Sequence, residues 1–160
     1  MSGKGLLEML KSIAFYSLIV FLAVSCIRNV TEPIPSDTEI VEIWDNGQPR
    51  VVRLFLVVDS VKTAVKEIQY HSNGIKSMEG PLENEVRHGM WKSYFEDGTL
   101  WSEGAFQKGL RHGKGIVYHP NGRKFIEGTY MLGERVGKWT WWDENGSVIS
   151  ESEAMKITIP

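Results

Sequence analysis

Between residues 66 and 152, apolar and polar positions recur as a phrase rather than as a simple alternation. Runs rich in Trp, Tyr, Phe, Val and Ile flank "YHSNG", "YFEDG", "YHPNG" and "WDENG", so that Gly74, Gly98, Gly122 and Gly146 fall 24 residues apart. Further columns keep that period: Gly80, Gly104 and Gly128 with Ser152 in the fourth place; Gly89, Gly113 and Gly137; Glu79, Glu103, Glu127 and Glu151; Arg87, Arg111 and Arg135; Tyr70, Tyr94, Tyr118 and Trp142. Self-similarity at a period of this size marks a chain built from repeated supersecondary units.

An Asn-Gly or Asp-Gly pair between β-forming runs predicts a hairpin, here with a two-residue type I′ turn, because Asn, Asp and Gly tolerate φ > 0 best. Gly74, Gly98, Gly122 and Gly146 are thus the expected turn glycines. With Asp97 and Gly98 as the loop, Glu96 faces Thr99, Tyr94 faces Trp101, Lys92 faces Glu103 and Trp91 faces Gly104. The next units set Tyr118 opposite Phe125, Ile116 opposite Glu127 and Trp142 opposite Ile149. Facing residues share a sheet face, which makes Tyr94, Trp101, Tyr118, Phe125, Trp142 and Ile149 the expected core. On the opposite face Trp91 is expected to shield the bare backbone of Gly104. "ENEVRHG", "KGLRHG" and "LGERVG" supply longer connections between hairpins. The fold class is therefore all-β, an antiparallel meander of stacked 24-residue β-hairpin repeats, since a lone hairpin is marginal in water.

The ends depart from the phrase. "VVRLFLVV" is apolar on both faces over Leu54 to Val58 and is expected to pair with "VKTAVKEIQYH" as a cap, while "WDNG" at 44 to 47 looks like a degenerate unit out of phase. At the other end "SVISESE" alternates serine and charge, as an exposed strand edge requires. The expected organisation is a leader over 1–25, a tether over 26–38 containing Pro33 and Pro35, and a capping hairpin or degenerate repeat over 39–65. The repeats follow over 66–153, and a tail over 154–160.

Charge and cysteine content narrow the function classes. A formal net charge of -2 offers no basic excess for nucleic acid, which is not expected as a partner. Cys26 is the single cysteine, so an intramolecular disulfide and any CxxC arrangement are excluded. It directly follows "IAFYSLIVFLAVS", thirteen apolar or small residues preceded by Lys4 and Lys11. That run is shorter than the ~20 residues a spanning helix needs and fits the apolar region of a secretory signal.

Two resemblances sharpen this picture. "LAVSC" resembles the lipobox of bacterial lipoproteins, with Ser25 before the cysteine but Ala23 where leucine is commoner; an ordinary signal peptide or short anchor is the alternative. The lipobox implies lipidation at Cys26 and a bacterial envelope location, at the outer membrane or the periplasmic face of a membrane. The repeat columns resemble MORN repeats, most closely the bacterial MORN-variant units found in YwqK-type antitoxin-family and MORN-repeat lipoproteins. That resemblance implies a MORN-like, single-layer twisted sheet serving as a non-enzymatic scaffold for protein or membrane-surface interaction, with an antitoxin or immunity role as the alternative. Its departures are Gly115 in the Trp91 and Trp139 column, Pro81 after Gly80, and Ser152 for the last glycine.

The titratable columns carry little chemistry at this period. Equivalent residues in neighbouring units lie two strands away, roughly 10 Å at ~4.8 Å per strand, too far for a shared metal shell or a carboxylate pair. His71, His88, His112 and His119 are accordingly expected to be structural or solvent-facing, and Lys92 is expected to pair with Glu103. Arg87, Arg111 and Arg135 recur at one rim and form a candidate anion-binding stripe against the simpler reading of a solvated rim. No phosphate loop, GxSxG or Cys/His pair occurs after Cys26. No catalytic residue, metal, cofactor or small-molecule substrate is expected; the partners expected are a membrane, through the lipid, and a protein.

Overall fold

The computed structural model describes residues 37–157, and within them nearly every segment is an antiparallel strand. In chain order these are β1 (Asp37–Ile43), β2 (Pro49–Val58), β3 (Val61–Tyr70), β4 (Lys76–Glu83), β5 (Val86–Arg87) and β6 (Gly89–Tyr94). After them come β7 (Leu100–Gln107), β8 (Leu110–Tyr118), β9 (Lys124–Met131), β10 (Glu134–Trp142) and β11 (Val148–Ile149). Each strand lies beside its sequence neighbour in one open sheet of 11 strands, with the short β5 paired to β4 beside the main path. The meander read from the repeats is the observed topology.

The turns are arranged differently from the expectation. At Gly98 the amide donates to the Phe95 carbonyl at 2.9 Å and the Phe95 amide donates to the Thr99 carbonyl at 2.9 Å. Of the loop residues only the glycine has positive φ, +88°. This is the three-residue hairpin loop, a β-turn followed by one left-handed residue, and not type I′. The same pair of bonds closes the loops at Gly47, Gly74, Gly122 and Gly146, so "WDNG" is a genuine hairpin of the series. The type I′ signature of two successive positive φ values lies at the opposite ends of the hairpins: Asp59-Ser60, Asn84-Glu85, Lys108-Gly109 and Leu132-Gly133. The stretches read as longer connections are therefore tight two-residue turns followed by strand.

The extra loop residue explains which register predictions hold. Away from the loop, Trp91 faces Gly104, Lys92 faces Glu103 and Ile116 faces Glu127, as expected. Next to the loop the register slips by one: Tyr94 faces Leu100 rather than Trp101, Tyr118 faces Lys124 rather than Phe125, and Trp142 faces Val148 rather than Ile149. Glu96 and Thr99 belong to the loop rather than to a facing pair.

That slip also displaces the expected aromatic core. Trp101 is 41% exposed, and the buried cluster is Ala64, Leu82 and Trp91 with Phe55, Met78 and Phe106 packed against it. Trp91 does shield a strand glycine, but its ring lies over Gly80 of the preceding unit and not over Gly104: a Cβ at Gly80 would meet the ring at 2.4 Å. Trp139 covers Gly128 in the same way, its ring filling the space a Cβ would take. Where the tryptophan column is broken by Gly115, the Tyr130 ring approaches Gly115 and the Arg111 guanidinium approaches Gly104. The C-terminal edge is the two-residue β11, followed by the short helix α1 (Glu151–Ala154), which Ser150 and Glu153 open with a reciprocal capping box.

Candidate functional site

The repeated residues form ladders that run across the strands. On one face Glu79, Glu103 and Glu127 of the 24-residue column take donors from their own and neighbouring units. Glu79 accepts from Lys66 at 2.7 Å, Lys76 at 2.7 Å and the Tyr94 hydroxyl at 3.0 Å. Burial opposes its ionisation, but Lys66, Lys76 and Tyr94 outweigh it and hold the carboxyl down at about 2. Glu127 is likewise held low, by Lys114 and Lys124. Glu103 accepts from the Tyr118 hydroxyl at 2.7 Å; burial and then this carboxylate push that phenol up to about 12. Lys92, placed opposite Glu103, makes no ion pair with it; Tyr118 occupies that role.

On the other face the arginine column meets the aromatic one. Arg87 sits 4.4 Å from the Trp91 ring and 5.6 Å from Phe106; Arg111 lies 5.4 Å from Phe106 and 5.3 Å from Tyr130. Arg135 lies 4.2 Å from Trp139 and 5.3 Å from Trp141, and also pairs with Glu151 at 3.0 Å. These side chains belong to β5, β8 and β10, so they stack on the sheet rather than fringe it in loops. Their carbonyls join the frame as well: Gly109 donates to Arg87 and Gly133 to Arg111. A guanidinium over an aromatic face gains about 0.5–2 kcal/mol, which explains the column without a ligand.

A third ladder joins successive Asn-Gly and Asp-Gly loops. The side-chain amides of Asn46, Asn73 and Asn121 donate to the carbonyls of Ser72, Glu96 and Glu144 in the following loop, at 2.8, 3.0 and 3.0 Å. At the first position of three of these loops, Trp44, His71 and His119 donate to the Tyr70, Tyr94 and Trp142 carbonyls. His119 is only 1% exposed, a structural histidine as expected. Sequence reasoning missed this ladder, although the signal was the coincidence of a donor at two positions of one loop. Gly74, Gly98, Gly122 and Gly146 all have the positive φ that places these loops. Cys26 lies outside the described residues. Among the described residues no group of three or more His, Cys, Asp and Glu side chains could hold a metal ion.

The ladders interlock at a fixed period, and two stretches of the array, residues 87–108 and 135–153, match the family described as MORN repeat variant. Over these two stretches the chain is similar to MORN repeat variants. The first matched MORN stretch covers the hairpin of Gly98 and the second that of Gly146, while the unmatched stretch between them closes its loop with the same pair of bonds. No curated protein matches the chain. Among solved structures it is similar to a chain of "Crystal structure of GtfA/B complex bound to UDP and GlcNAc", 15% identical, with a TM-score of 0.43, over 79% of this chain and 27% of that one.

Proposed function

We propose that this chain is a non-enzymatic, lipid-anchored protein of the bacterial envelope whose MORN-type sheet is a scaffold for interaction. One observation carries the reading: the residues that recur at the 24-residue period are engaged with one another. The glutamates hold lysines and tyrosines, the arginines lie on rings, and the loop asparagines and histidines grip the next loop. Residues committed in this way build a platform, and recognition falls to positions that differ between units. The anchor rests on the cationic leader, its apolar run and Cys26 before a proline-containing tether. Lipid attached there, together with further membrane signals, gives stable anchoring.

Metabolic labelling of the full chain with an alkyne fatty acid tests the anchor. The expected result is label in the membrane fraction for the native chain and none for Cys26→Ser. A Cys26→Ser protein that remains membrane-bound with unchanged mobility overturns it.

A further inference from the structure

One hairpin does not obey the loop ladder. At the three positions where its neighbours carry donors or cations, His71 and His119, Asn73 and Asn121, Lys76 and Lys124, the hairpin of Gly98 has Phe95, Asp97 and Leu100. Phenylalanine, an ionised carboxylate and leucine cannot donate. The Asp97 carboxylate is instead held low by the Thr99 amide and hydroxyl, at 2.8 and 2.7 Å. The Tyr118 and Pro120 carbonyls of the next unit, equivalent to those gripped elsewhere, receive no side-chain donor among the described residues. Lysines stand over the neighbouring rings, Lys76 at 5.8 Å from Tyr94 and Lys124 at 5.9 Å from Trp142, yet none stands over Tyr118.

A groove of about 460 Å³ opens at this seam, bounded by His71, Tyr94, Phe95, Asp97, Trp101 and Pro120, with Glu96 also on its wall. Phe95 and the exposed Trp101 form a tilted pair at 6.1 Å between centroids. The groove thus combines aromatic walls, two acidic residues and, at Pro120, a residue whose carbonyl lacks the side-chain donor its equivalents have. It contains no lysine or arginine of its own.

We propose that this groove receives an arginine side chain from a basic segment of a protein partner. A guanidinium presents five donors, stacks on aromatic faces and pairs with carboxylates, which matches the three features of the groove. The fold itself contains the precedent: Arg123 of the neighbouring hairpin reaches the next loop and donates to the Glu144 and Asn145 carbonyls at 3.2 and 2.7 Å. In the groove the partner's arginine plays the corresponding part toward the loop of Pro120. This inference rests on the reading of the sheet as an interaction scaffold and names the chemistry of its partner.

The test titrates the full chain with the blocked tripeptide glycine-arginine-glycine, following the indole resonance of Trp101 by NMR. The counterpart with citrulline keeps the shape and loses the charge. The variant Phe95→His with Asp97→Asn restores the phrase of the neighbouring hairpins and closes the groove, so its melting temperature is expected to equal or exceed that of the native chain. Saturable binding of the arginine peptide is expected, at least about tenfold weaker for citrulline and for the double variant. Asp97→Asn alone serves if the double variant melts early. Equal binding of both peptides, unchanged affinity in the variants, or no saturable shift overturns the proposal. Failure here with the lipid label intact removes the arginine site and leaves the anchored scaffold standing.

Discussion

At the scale of the residue, two kinds of glycine carry the array, and they fail in different ways. Gly80 and Gly128 have ordinary φ and are glycine because a tryptophan ring occupies the space of a Cβ. Gly146 has φ of +91° with nothing within 4 Å, so a side chain there meets strain but no neighbour. Gly128→Ala must push Trp139 off the sheet and out of its edge contact with Tyr130, 4.9 Å between centroids, and should cost about 2–4 kcal/mol. Gly146→Ala should cost only about 1–2 kcal/mol, the price of the left-handed conformation. Urea denaturation of both variants checks the order, and equal losses would show that the ring is not what demands Gly128. The glycine columns were legible in the sequence, but which glycine a tryptophan covers was not. Trp91 faces Gly104 in register while its ring leans toward the other neighbour, and only the packed sheet records that lean.

At the scale of the element, the two ends of each hairpin divide the turn chemistry between them. The Asn-Gly and Asp-Gly pairs predict two residues with positive φ, whereas the loop uses one left-handed glycine and a side-chain cap. Asn46, Asn73, Asp97 and Asn121 each accept the amide two residues on, at 3.0, 2.9, 2.8 and 3.0 Å. This Asx bond rewards the same residue types as a type I′ turn, which is why composition alone could not separate them. The true type I′ turns carry a weaker signature. Asp59-Ser60 has φ of 50° and 66° with no glycine, a combination that strains both residues. Ser60→Gly should therefore raise stability by about 0.5–1 kcal/mol, measured as a shift of the urea midpoint at constant slope. A lower midpoint would contradict the turn assignment.

At the scale of the whole molecule, stability against pH follows from the ladder of carboxylates. Asp37, Glu79, Asp97, Glu127 and Glu153 all titrate below their ordinary values in the folded sheet. Groups with depressed folded values contribute stability above their unfolded values, and that contribution is lost as acid protonates them. The melting temperature should hold near neutrality and fall as the pH drops from about 4.5 toward 2, the window set by Glu79. Tyr118, raised to about 12, has the opposite sign: its contribution is complete below about 10 and is lost as the pH rises toward 12. Glu79→Gln should flatten the acid limb and lower stability at pH 7 by about 1–3 kcal/mol, since glutamine keeps one carbonyl acceptor but loses the charge and the second oxygen that hold Lys66 and Lys76. Thermal melts of both proteins across this range check the prediction; parallel acid limbs would refute the role of Glu79.

What the sequence determined by itself was the period, the all-β hairpin unit, the meander and the strand register away from the loops. These follow from short-range facts, turn-forming residues at fixed offsets and the two-residue alternation of a strand. The tertiary structure decided which residues become core, where the arginines lie and which hairpin breaks the loop ladder. One extra loop residue moved Trp101 out of the expected core, stacking of neighbouring strands drew Arg87 and Arg111 onto rings, and Phe95 and Asp97 acquired meaning only beside the carbonyls they leave without a donor. Each depends on what the adjacent unit presents across a seam, a relation between residues about 24 apart that local pattern does not contain.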